Sequence, residues 1–220
     1  MEMELSKEEL IVHVNRQLSN NFGNCEDVEG FIDITLERVQ TCFKAARNKY
    51  YHKKGNDEPY FSPYHSGQYS IFLYYLANTI YKSGDTSNLA SKIYYLNKIM
   101  HCVDWYYEIE LPEYFGVEHP MASVLGRAVY NDGFFFYQGC TVGGNKGKYP
   151  EMGKNVILYS NVTVLGDAKI GNNVVISTGT TIIGEVVPDN SLVFGSSPNL
   201  IIKEKQSEYI RKITSGFWII

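Results

Sequence analysis

The chain has little that would tie it to a membrane, a nucleic acid or an oxidising compartment. Its 220 residues hold four cysteines, two tryptophans and seven prolines. Cys25, Cys42, Cys102 and Cys140 make no C-x-x-C pair and no regular spacing. That pattern argues against a zinc site or disulfide framework and predicts reduced thiols in a cytoplasmic protein. His13, His52, His65 and His101 show no metal-ligand spacing, so no metal is expected. Twenty basic against 24 acidic side chains leave a net charge of −4, with no basic stripe to grip a nucleic acid. The opening MEMELSKEELIVHV carries acids early, and no apolar run is long enough for a signal segment or a transmembrane span.

The chain does have a period of six. Met152, Leu158, Val164, Ile170, Ile176 and Ile182 fall in one register. Val156, Val162, Ala168, Val174, Thr180 and Val186 fall in a second, smaller one, two residues ahead. Gly153, Gly166, Gly171 and Gly184 mark turns. A helix repeats every 3.6 residues and a strand every two, so six is the signature of a parallel β-helix whose stacked coils bury one continuous core. The alternative is a run of ordinary short strands with glycine turns. The register also runs earlier, through Trp105, Leu111 and Val117 and then, after a shift of one, Val124, Tyr130, Phe136 and Val142. Between Gly143 and Glu151 a polar segment leaves the coil and returns in register, a pattern often functional in solenoids. Pro188-Asp189-Asn190 is expected to close the repeats.

The first half reads as helices. Ser6 and Glu9 have capping-box spacing ahead of Leu10, Ile11, Val14 and Leu18, and Val28 to Phe43 continues at helical intervals. An amphipathic helix is expected with Tyr69, Phe72, Leu73, Leu76 and Ile80 on one face, then another carrying Leu89, Ile93, Leu96 and Met100. The expected fold class is α+β: an α-helical domain over 1–103, a parallel β-helix over 104–202, and a short helix and tail over 203–220.

His119 is the candidate base. It sits beside Glu118 and an acidic run that includes Asp104, fifteen residues earlier and so nearly one circuit away on the neighbouring rung. Imidazole is the usual general base near neutral pH, and a carboxylate partner fixes its tautomer. The plainer reading is a surface histidine among solvated acids. Cys140 lies in the small-residue register and reads as a buried hydrophobe rather than a nucleophile.

The second half resembles bacterial serine acetyltransferases, members of the left-handed β-helix acyltransferases that use acetyl-CoA. The resemblance rests on Asp104, on Glu118-His119-Pro120-Met121-Ala122 with Gly126, on Thr141-Val142-Gly143-Gly144, and on the loop and clean hexapeptides that follow. It implies an acetyl-CoA-dependent O-acetyltransferase in which His119 is the general base and Asp104 orients it. Glu118, Lys148 and Tyr149 would line the acceptor pocket, and Asp57, from its turn position in the helical half, is a further candidate for that lining. Gly143, Gly144, Ser160 and Thr178 would meet the acetyl-CoA co-substrate. The family's Arg-His pair before a proline is replaced by Lys148-Tyr149-Pro150, and a lysine holds a carboxylate only as a point charge. The acceptor is thus either serine or a sugar hydroxyl of a cell-surface polysaccharide, with a non-catalytic scaffold as a third reading. The resemblance also implies homotrimers, with dimers of trimers as an extension. Ile220 stands where the family's terminal isoleucine docks a partner, although simple tail packing explains it equally.

Overall fold

The computed structural model describes residues 1–23, 27–53 and 58–219. Helices α1 (Lys7–Phe22), α2 (Glu29–Ala45), α3 (Ser66–Lys82) and α4 (Leu89–His101) form a layer that precedes a solenoid of short parallel strands. A last helix, α5 (Ser207–Thr214), returns along the solenoid. The capping box of α1 forms as its spacing predicts: Ser6 Oγ accepts from Glu9 N at 3.2 Å and Glu9 Oε2 from Ser6 N at 2.8 Å.

Helix α3 departs from the amphipathic expectation. Every residue from Gly67 to Ile80 is buried. The helix is wedged between α2, α4 and the irregular segment that leads into the solenoid, so its second face needs polar partners rather than water. Tyr74 Oη donates to the Ile109 carbonyl at 2.8 Å, Asn78 Nδ2 to the Tyr107 carbonyl at 2.8 Å, and Tyr75 Oη to the Glu113 carbonyl at 3.1 Å. These bonds join the helical layer to the first coil.

The solenoid has three faces. The first stacks Asp104–Trp105, Val124–Leu125, Thr141–Gly143, Thr163–Leu165 and Thr181–Ile183 in parallel. The second stacks Phe115–Glu118, Phe134–Tyr137, Val156–Leu158, Val174–Ile176 and Ser191–Ser196. The third stacks Glu151–Met152, Lys169–Ile170 and Val186–Val187. One hexapeptide per face gives the eighteen-residue coil seen in the pairs Thr163–Thr181 and Lys169–Glu151.

The first register, from Met152 to Ile182, is buried throughout, as are Val156, Val162, Ala168, Val174 and Thr180. Val186 is not: it is 69% exposed, and its neighbour Val187 points inward in its place. Val187 pairs with Ile170, so this coil is one residue shorter and the side-chain alternation flips. The same slip puts Leu125 rather than Val124 into the core opposite Val142. Nor do the repeats stop at Pro188. Ser191–Ser196 adds a further rung on Val174–Ile176, then folds back as an antiparallel pair with Asn199–Glu204.

The glycines serve two different purposes. Gly166 and Gly184 occupy left-handed backbone, with φ of 70° and 65°. Gly153 and Gly171 do not; there a Cβ would strike the next coil, at 2.7 Å from the Gly171 backbone and 2.6 Å from Asp189 N respectively. At one corner Asn155, Asn173 and Asn190 take left-handed φ and bond in a ladder, each amide to the next at 3.1 Å. The chain end then crosses back. Trp218 is buried against Phe135 and Tyr114, its indole N–H donates to the Gly133 carbonyl at 3.2 Å, and Ile219 N donates to Ala45 O at 2.8 Å. Ile220 lies outside the described residues.

Candidate functional site

His119 follows the second-face strand Phe115–Glu118 and opens the corner that leads to Val124–Leu125. Its φ is 54° and that of Ala122 is 58°, so two non-glycine residues bracket the turn in left-handed backbone. Such a conformation persists only where surrounding structure enforces it. The enforcement is visible: buried Ser123 donates its hydroxyl to the Pro120 carbonyl at 2.5 Å and accepts from Trp105 Nε1 at 2.8 Å. The imidazole itself is exposed, and among the described residues it makes no hydrogen bond.

Asp104 is not joined to His119 in the single chain. Its strand pairs with Val124–Leu125, just past the histidine corner, but its carboxylate is held from α4. Tyr94 Oη donates to Oδ1 at 2.5 Å and Lys98 Nζ to Oδ2 at 2.7 Å. Although partial burial opposes it, these two donors hold the carboxyl below its ordinary range. The expected imidazole–carboxylate bond is therefore replaced by a carboxylate fixed from the helical layer. Tyr94 and Lys98 were missed from sequence, yet their i, i+4 spacing at the end of a helix that turns directly into Asp104 was a usable signal.

Glu118 ends its strand opposite Tyr137 and is half-buried. The loop expected to carry acceptor contacts is a tight hairpin: Asn145 and Lys148 exchange backbone bonds at 2.9 and 3.1 Å, with Lys146 and Gly147 both at positive φ. Lys148 is already occupied, its ammonium 2.6 Å from Asp167. Tyr149 lays its ring over Gly144, where a Cβ would come within 2.7 Å of Cε1, and its side chain acts on Arg127, another residue not singled out from sequence, raising that guanidinium's pKa. Gly144 is thus a seat for Tyr149 rather than for a pantetheine arm. Gly143 is different: a Cβ there would meet only Leu165 Cδ2, at 4.0 Å, so this backbone stays approachable. Ser160 is half-exposed and Thr178 exposed, at successive coils of the corner that carries His119. Asp57 lies outside the described residues.

Other candidates take structural roles. Cys140 is buried, its thiol donates to the Tyr159 carbonyl at 3.1 Å, and burial pushes its pKa up, which leaves it protonated and unreactive. His65 caps α3 by accepting from Gln68 N at 3.3 Å. Among the described residues no cluster of three or more His, Cys, Asp or Glu is arranged to hold a metal, and no helix is long and apolar enough to cross a membrane. Two large cavities, about 910 Å³ beside Tyr50 and Tyr60 and about 630 Å³ between α5 and the asparagine ladder, are not lined by His119.

Residues 149–184 match the family model described as bacterial transferase hexapeptide (six repeats). No protein of curated function matches the chain. Solved structures similar to it include serine acetyltransferase from Brucella abortus strain S19, 19% identical with a TM-score of 0.69 over 91% of this chain and 84% of that one. The serine acetyltransferase of Neisseria gonorrhoeae is 21% identical, with a TM-score of 0.68 over 92% and 83%. The Brucella abortus enzyme in complex with coenzyme A is 19% identical, with a TM-score of 0.66 over 93% and 84%. The likeness extends through the helical layer as well as the coils, and with the hexapeptide match it establishes the fold as a helical layer followed by a left-handed parallel β-helix.

Proposed function

We propose that this protein is an acetyl-CoA-dependent O-acetyltransferase of the serine acetyltransferase type, working by direct transfer to an acceptor hydroxyl. The observation that carries the reading is His119: an unengaged imidazole on enforced left-handed backbone, at a corner where Gln138 follows on the next coil and the small side chains Ser160 and Thr178 on the two after it. Strained backbone of this kind is concentrated at sites where position matters more than stability. Structures similar to this one were solved with coenzyme A and with serine.

In this reading the neutral imidazole of His119 takes the proton of the acceptor hydroxyl as its oxygen attacks the thioester carbonyl. The same proton then passes to the departing thiolate. Asp104, held ionised by Lys98 and Tyr94, supplies fixed negative charge that favours the imidazolium. The open backbone at Gly143 admits the donor's arm. A groove between neighbouring copies in a homotrimer would enclose the exposed His119 corner, and two trimers joined through their helical layers would extend the assembly. The free thiols of Cys42 and Cys102 suit a reducing cytoplasm.

A second reading takes a sugar hydroxyl as acceptor. It is favoured by the ion pair of Lys148 with Asp167, which engages the lysine that a serine carboxylate would need. Release of free thiol from acetyl-CoA, followed with L-serine and with a panel of sugars, separates the two. His119→Ala should lower turnover by about 10²–10⁴-fold while leaving acetyl-CoA affinity intact. Turnover equal to the parent protein would remove the histidine from the mechanism, and no measurable change of any kind would favour a non-catalytic scaffold.

A further inference from the structure

The corner that carries His119 is flanked by a column of half-buried side chains along the edge of the second face. The register aligns Glu118 with Tyr137, and the next pairing, Phe136 with Leu158, brings Tyr159 beneath Tyr137. The inward neighbours Val117, Phe136 and Leu158 fill the core, so Glu118, Tyr137 and Tyr159 face outward by alternation. The two tyrosine rings stack at 5.3 Å with planes only 7° apart. Phe217, from the returning tail, meets Tyr137 edge-on at 6.5 Å and 83°. Its carbonyl accepts from Arg47 N at 2.9 Å, which ties this buttress to the helical layer.

Tyr137 is thereby clamped on two sides, and the parallel pairing sets its outward side chain directly beside that of Glu118. Burial and then the neighbouring Glu118 carboxylate raise the phenol above its ordinary range. A phenol held in place beside a carboxylate favours the carboxylate orientation that can accept from it. We infer that Tyr137 is a positioning residue: clamped by Tyr159 and Phe217, it holds the Glu118 carboxylate in place to receive the acceptor next to His119. The inference rests on the acyltransferase reading and assigns a residue that neither the hexapeptide pattern nor the histidine motif marks. It also gives the C-terminal tail a part in the site, through Phe217.

The test is a double-mutant cycle with Tyr137→Phe, Glu118→Gln and the pair. In thiol-release kinetics Tyr137→Phe should raise the acceptor KM by about tenfold, the size expected for one hydrogen bond to a charged group. kcat and the acetyl-CoA KM should stay within about twofold, because uniform acceptor binding is what is lost. The pair should bind acceptor no worse than Glu118→Gln alone. An unchanged acceptor KM in Tyr137→Phe, a loss confined to kcat, or losses that multiply would each overturn the inference. Denaturation midpoints of the same four proteins judge the contact without any turnover: coupled losses support it, and simply additive losses overturn it. Absence of thiol release by the parent protein with serine and every sugar would instead defeat the functional reading, and the midpoints would still decide the contact.

Discussion

The helical layer and the solenoid solve the problem of a specific core in opposite ways. In the solenoid the interior is almost wholly aliphatic and aromatic, and its buried polar side chains are small ones such as Ser123, Thr180 and Ser191. Register is fixed by repetition, because each coil needs only to match the coil below. In the helical layer the core holds Gln68, Asn78, Asn97 and His101, each bonded to a particular partner. Arg38 adds to this, donating to Asn78 and Thr79 at 2.8 and 2.9 Å while its guanidinium lies over the Tyr75 ring. A repeating apolar core tolerates length changes between coils, as the slips at Leu125 and Val187 show. A bonded polar core does not, since each unmatched group would carry its full desolvation cost.

That contrast can be broken in three ways, taken from the largest effect to the smallest. Phe136→Ala removes a fully buried ring that Trp105 and Phe134 pack against, and should cost about 3–5 kcal/mol in chemical denaturation. A loss under about 1 kcal/mol would mean that the coils collapse around the gap, and the solenoid would then be less rigid than its packing implies.

Acid should act through the helical layer. Burial lowers the pKa of His101 from 6.5 to about 4, and its Nδ1 faces the side-chain Oδ1 of Asn97 at 2.7 Å. The fold therefore favours the neutral ring, and between these two pH values the unfolded chain binds more protons. Stability should be unaffected above pH 6.5 and fall as pH drops toward 4, by at most ~3 kcal/mol. His101→Gln should flatten that part of the melting-temperature profile; an unchanged slope would assign the acid sensitivity to other groups.

The smallest effect reverses sign between the two regions. At Gly153 a Cβ would press on the backbone of the next coil, so Gly153→Ala should destabilise by about 1–3 kcal/mol. At Gly30, on α2, nothing lies within 4 Å of the same atom, and Gly30→Ala should stabilise by up to ~1 kcal/mol. Equal shifts in the two melting temperatures would refute the distinction.

Legibility followed the same division. The coils were readable because the hexapeptide is local: Met152 to Ile182 needed only their own spacing to be assigned to the interior. The one-residue slips were not, since a shortened coil changes no residue type and shows itself only by what it pairs with. Of the candidate site, the His119 corner was marked by its motif, whereas the engagement of Lys148 by Asp167 and of Asp104 by Tyr94 and Lys98 depends on side chains brought together from different coils or from another layer, and that of Gly144 by Tyr149 on the turn of one tight hairpin.

The amino-acid sequence alone determined that the second half stacks into a parallel solenoid with its small and large registers inward, because a six-residue period has one economical solution in three dimensions. Tertiary structure alone decided that α3 is buried on every side, that the tail returns to seat Trp218 on the first coils, and that Tyr137 stands beneath Glu118. Those outcomes depend on contacts between segments far apart in the chain, and the spacing of residues within one segment carries no information about them.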